Sequence, residues 1–192
     1  DTAIIHVQKA SPDGTCVILG DEFHDVDIAV AARKVIVTCE EIVSDEFIRQ
    51  DPTANKIFGE CVNAVVKAPY GAWPSQCYGY YDDDDAALKE YDKASKYQDA
   101  EDAVKQLAKA AAKAQKAADA KPEDEKLAAA AERAKKAAED AAAGTLIPET
   151  FKDYLDKWVY SVADQPALLD KIGGSRLMRL KVEPHLGYST TH

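Results

Sequence analysis

Two stretches of the 192-residue chain hold side chains that could do chemistry. The first is Glu40-Glu41, a carboxylate pair just after the β-branched run Val35-Ile36-Val37-Thr38. The second, residues 68–81 (APYGAWPSQCYGYY), follows the run Cys61-Val62-Asn63-Ala64-Val65-Val66. Both runs read as strands, because β-branched residues suit a pleated, half-buried surface. In open α/β sheets ligands sit beyond the carboxyl ends of the strands, so a site is to be sought in these two segments. A carboxylate there is a potential nucleophile or base. The rings of the second segment need a surface to bury against, either their own domain, a sister protomer or a ligand. Tyr70, Trp73, Ser75, Gln76 and Tyr78 are the candidate substrate-binding residues.

Other titratable groups point less clearly to a site. His6 lies inside an apolar run and reads as a hydrogen-bonded core histidine, since no second histidine or carboxylate is spaced in sequence to share a metal with it. The cysteines at 16, 39, 61 and 77 form no CxxC pair, which suits buried reduced thiols in a cytoplasmic protein rather than a disulfide frame or zinc site. Asp82 to Asp85 lack the alternating ligands and glycine of a calcium loop and read as a solvated helix start, favoured there by the helix dipole. No metal site is therefore expected. The formal charge of −10 argues against nucleic acid or an anionic membrane as a partner. No apolar run approaches the roughly 20 residues that span a bilayer, and Asp1-Thr-Ala-Ile-Ile-His is not the pattern of a secretory signal.

The elements that must position these groups alternate between strand and helix. Residues 2–20 read as a hairpin turning at Ser11-Pro12-Asp13-Gly14. Residues 25–34 read as a helix with Val26, Ile28, Ala29 and Ala32 on one face, and the strand at 35–38 follows at once. Ser44 suits a helix cap, and Asp51-Pro52 closes that helix. Short strand–helix–strand links mark an α/β fold. From residue 99 to 143 the composition turns to alanine, lysine and acidic residues, broken at Lys121-Pro122, with Gly144 placed to end a helix. The stretch is a helical hairpin with high intrinsic propensity and few large apolar residues, in a design-like pattern. Beyond it, Phe151, Tyr154, Leu155, Trp158 and Val159 give a helix face, a second helix runs from Asp164 to Gly173-Gly174, and residues 175–182 alternate apolar and basic like a final strand. The expected organisation is an α/β core over 1–96, an inserted hairpin over 97–147 and core-completing elements over 148–192.

In this order HVQKASPDGTCVILG, DVDIA, IVTCEEIVSDE, DPTANKI, VNAVVKAPYGAWPSQCYGYYD, YDKASK, WVYSV and LDKIGGSRLMRLKVEPHLGY resemble the second half of the A subunits of glutaconate-type, family I CoA-transferases. The resemblance covers everything outside roughly residues 97–147, the alanine-rich hairpin being foreign to the family. It implies an α/β sheet packed with helices in a cytoplasmic heteromer of A and B subunits. It also implies coenzyme A thioesters as substrates, with no covalently bound cofactor. A glutamate attacks the thioester, gives a mixed anhydride and becomes an enzyme–CoA thioester, with backbone N–H groups holding the oxyanion. That glutamate belongs to the B subunit, and the glycine-rich Gly-Gly-Phe segment to the amino-terminal half of the A subunit; neither motif is in this chain. Glu40 and Glu41 match a phrase of the A subunits and take structural or interface roles, so no residue here is expected to be catalytic. Where this chain has Trp73 the family pattern has histidine. The expected alternatives are a catalytically silent derivative, alone or self-associated, and an active A subunit completed by a B subunit.

Overall fold

A computed structural model describes residues 1–183. The chain forms two compact units, one of residues 1–85 with the described residues from Asp164 on, the other Ala86–Ala163.

The first unit is built on a five-stranded sheet ordered β4-β2-β1-β3-β5. The strands are β1 (Thr2–Ala10), β2 (Cys16–Val17), β3 (Lys34–Ile42), β4 (Asn55–Ile57) and β5 (Ala64–Lys67). β1 and β2 make the expected hairpin, and β1–β3 and β3–β5 pair in parallel. Gly14 fits the hairpin turn for two reasons: its φ is +99°, and a Cβ there would lie 2.8 Å from that of Val62. Ala3, Ile5, Val7, Val35, Val37 and Cys39 alternate along β1 and β3 and bury one face under Ala29 of α1 (Asp25–Ala31). The other face takes His6, Gln8, Thr38 and Glu40. α2 (Asp45–Gln50) starts on Ser44, whose hydroxyl accepts the Phe47 N–H at 3.3 Å.

Three features differ from expectation. β3 runs through Ile42, so Glu40 and Glu41 lie on the strand rather than after it, because β1 keeps pairing with it up to Ala10–Ile42. The strand expected from residue 61 begins at Ala64, after a 3₁₀ turn over Gly59–Cys61. The expected strand at 175–182 is a helix, α8 (Gly174–Leu180), following α7 (Gln165–Ile172). Leucine, methionine and arginine favour helix, the run holds no β-branched residue before Val182, and Leu177 and Leu180 are three apart. Gly173, at φ +92°, lets the chain turn between the two helices. Only Lys181 keeps a strand-like bridge, to Tyr81.

The second unit is helical. After α3 (Asp85–Ala94), which begins at the unit boundary, come α4 (Ala100–Ala120) and α5 (Glu125–Ala142), the expected hairpin. Asp99 and Asp124 cap their amino ends, and buried Ala103, Ala118, Ala131 and Ala141 keep side-chain bulk out of the hairpin. Thr150 and Asp153 form a reciprocal capping box that opens α6 (Phe151–Leu155), which continues as a π turn over Asp156–Tyr160. Its indole, Trp158, is buried and donates to Glu90 Oε1 at 2.8 Å. Among the described residues no helix is long and apolar enough to cross a membrane.

Candidate functional site

The polar side chains of the second sheet face meet the aromatic loop at residues 68–81. His6 and Thr38 are paired across the parallel β1–β3 ladder, and Glu40 follows two residues along β3 on the same face. Glu40 is buried and both carboxylate oxygens are in use. His6 Nε2 lies 2.8 Å from Oε1, Tyr81 donates its hydroxyl to Oε1 at 2.8 Å, and the Tyr70 N–H donates to Oε2 at 2.9 Å. Burial pushes the Glu40 acid up, but the bonds from His6, Tyr70 and Tyr81 more than offset it and hold the carboxyl below the usual glutamate range. Glu40 is thus an anion held by its neighbours.

That anion fixes the loop. Tyr70 adopts φ +58°, uncommon for a residue with a side chain, and its N–H on Glu40 helps hold it there. Its ring stacks on Tyr81 with centroids 4.6 Å apart, and its hydroxyl donates to Leu177 O at 3.3 Å. The Tyr81 hydroxyl accepts the Ala72 N–H at 3.0 Å. Burial and the Glu40 charge raise the Tyr70 and Tyr81 phenols, which keeps both protonated as donors at neutral pH. Burial and Glu40 also push the Cys77 thiol up to about 12.

The five candidate binding residues separate into two groups. Tyr70 lines a cavity of about 580 Å³ at the carboxyl ends of β1 and β3, with Lys9, Glu40, Glu41, Tyr80 and Lys181 among its walls. Gln76 and Tyr78 line a second cavity of about 570 Å³, into which His6 and Cys77 also open. Trp73 and Ser75 line neither. Trp73 instead donates its indole N–H to Asp84 Oδ2 at 2.9 Å, and Ser75 closes a turn through its N–H on Ala72 O.

Two residues that sequence reasoning leaves outside the site prove central to its frame. Asp84 is not part of a solvated run: it is buried, paired with Arg176 of α8 at 2.5 Å, and receives Trp73. Tyr81 is absent from the candidates, yet it joins Glu40, Tyr70 and Ala72. His6 is hydrogen-bonded, as expected, but its partner Glu40 lies 34 residues away. The signal that could have found this junction is period-2: His6 and Gln8 on one strand, Thr38 and Glu40 on the next, polar on otherwise apolar runs. Glu41, by contrast, is half-exposed and accepts the Tyr80 hydroxyl at 2.9 Å.

Comparison with known proteins finds relatives among the A subunits of CoA-transferases. The chain is 45% identical over 188 residues to the A subunit of glutaconate CoA-transferase from Acidaminococcus fermentans, covering 98% of this chain and 43% of that protein. It is 32% identical over 102 residues to the A subunit of 3-oxoadipate CoA-transferase from Pseudomonas knackmussii, covering 50% of this chain and 33% of the relative. The crystal structure of glutaconate coenzyme A-transferase from A. fermentans superposes with a TM-score of 0.67 at 43% identity, over 98% of this chain and 44% of that one. The chain therefore spans less than half the length of the relatives it matches. No family model matches it.

Proposed function

We propose that this chain, whose origin lies among the A subunits of family I CoA-transferases, forms one wall of a CoA-transferase site and is catalytically silent by itself. Its substrates are an acyl-CoA thioester and a carboxylic acid. The attacking carboxylate comes from a B subunit. The observation that carries this reading is the state of Glu40, which is buried with three donors on its two oxygens. A nucleophile must present a free lone pair to the thioester carbonyl, and Glu40 would have to break those bonds first. Glu40 positions the loop instead. Glu41 is more open but holds Tyr80, and no backbone N–H pair is aimed beside it among the described contacts.

In this reading Tyr70, Gln76 and Tyr78 offer contact surface to the substrates, while Lys9 and Lys181 at the cavity by β3 suit a carboxylate. Trp73 and Ser75 shape the loop that carries them. In this reading the protein acts in the cytoplasm, and its net charge of −10 disfavours nucleic acid or an anionic membrane as a partner. The test is CoA exchange between glutaconyl-CoA and acetate, with and without the B subunit of the A. fermentans enzyme. The chain alone gives no acetyl-CoA, and addition of the B subunit produces it. Exchange by the chain alone overturns the assignment of the nucleophile, and silence with bound B subunit leaves a derivative that has lost the activity altogether.

A further inference from the structure

The loop and the sheet bring a nitrogen, an oxygen and a sulfur together beneath the aromatic rings. His6, Glu40 and Cys77 each offer one ligand atom, all within 4.8 Å of one another. They come from β1, β3 and the loop, 71 positions apart from first to last along the sequence. We propose that these three residues bind a borderline divalent cation, zinc by its chemistry, which staples the loop to the sheet.

Imidazole, carboxylate and thiolate are the three ligand classes that zinc accepts in one tetrahedral shell. The outer contacts are those of a ligand set. His6 Nδ1 lies 2.9 Å from Thr38 Oγ1, and the Thr38 hydroxyl is directed at Ile5 O at 3.5 Å. With a cation on Nε2 the neutral ring carries its proton on Nδ1, which donates to the threonine oxygen; without the cation that proton sits on Nε2 and serves Glu40. The second Glu40 oxygen is fixed by Tyr70 N–H. His6 and Cys77 open on the cavity of about 570 Å³, which gives the ion a route in and a water its fourth position. Tetrahedral ligand atoms stand about 3.5 Å apart, so the 2.8 Å His6–Glu40 pair opens slightly and Cys77 moves in, adjustments of side-chain torsions. Binding forms Zn–N, Zn–O and Zn–S bonds and releases the Cys77 thiol proton together with any proton shared between His6 and Glu40. A dication against one carboxylate, one thiolate and a neutral imidazole leaves the half-buried site uncharged.

The inference does not rest on the transferase reading, and its test needs no activity. The full chain, reduced and stripped of metal by a chelator, is titrated with Co²⁺ and then Zn²⁺. A single equivalent of Co²⁺ gives a thiolate-to-cobalt charge-transfer band that Zn²⁺ displaces. Cys77→Ser removes the band, Cys61→Ser keeps it, and Thr38→Val weakens Zn²⁺ binding about 10- to 100-fold through its outer contact. No band in the wild type, or a band that survives Cys77→Ser, overturns the proposal. If circular dichroism shows that Cys77→Ser does not fold, Thr38→Val decides, and unchanged affinity there overturns it.

Discussion

Replacing Glu40 by glutamine keeps its shape and removes its charge, which isolates the role assigned to it. Three donors converge on the carboxylate: His6 Nε2 and Tyr81 at 2.8 Å and Tyr70 N–H at 2.9 Å. Hydrogen bonds to a charged group contribute about 1.5–3 kcal/mol each, and they are not additive when they share an acceptor. Glutamine retains one accepting oxygen and turns an NH₂ group toward a donor, so the local cost is about 2–4 kcal/mol. The assay is amide hydrogen exchange at Tyr70, whose N–H reports on the bond itself. At about 1.36 kcal/mol per tenfold, exchange accelerates about 30- to 1,000-fold. Glu41→Gln is the control; it weakens the bond from Tyr80 and the 3.9 Å ion pair with Lys9 at a half-exposed side chain, and costs less than about 1 kcal/mol. Equal acceleration in the two variants, or less than about threefold in Glu40→Gln, refutes the argument. The same group sets an acid limb. Its carboxyl is held below the ordinary value of 4.5, so its contribution is complete above that value and is lost as pH falls through the lower folded-state value. Glu40→Gln flattens that limb in acid unfolding curves, and an unchanged limb contradicts the assignment.

Gly71→Ala would place a Cβ 2.6 Å from His6 Cε1 and 2.8 Å from Ala68 O, so the loop must lift; a cost of about 1–3 kcal/mol should appear in thermal unfolding. Thr150→Ala removes the capping box of α6 and should cost about 1 kcal/mol, read as faster exchange of the Asp153 amide. The hairpin of α4 and α5 leaves and rejoins the chain where Phe151 N–H donates to Tyr97 O at 2.7 Å. Replacing residues 99–149 by a short glycine–serine linker should therefore remove the circular-dichroism signal of helices of 21 and 18 residues and leave the Tyr70 amide protected.

The strand–helix alternation, the Ser44 cap and the alanine-rich hairpin were legible in the sequence because each follows from local rules: propensity, turn residues and periodicity. Residues 175–182 were not, since so short a run fits a period of 2 and a period of 3.6 alike, and only the side-chain types favoured helix. The site was legible as a loop and opaque as a network. Residues 68–81 announced themselves by composition, but the His6–Glu40–Tyr81 junction depends on the β1–β3 register, which a single sequence does not display. Asp84 shows the same limit, for its burial depends on Arg176, 92 positions away.

The proposed function leaves no carboxylate of this chain as the nucleophile. It is tested most directly by incubating the chain alone with glutaconyl-CoA and weighing the intact protein, with and without hydroxylamine. An unchanged mass is expected. A hydroxylamine-sensitive acyl or CoA adduct that peptide mapping places on Glu40 or Glu41 would contradict it.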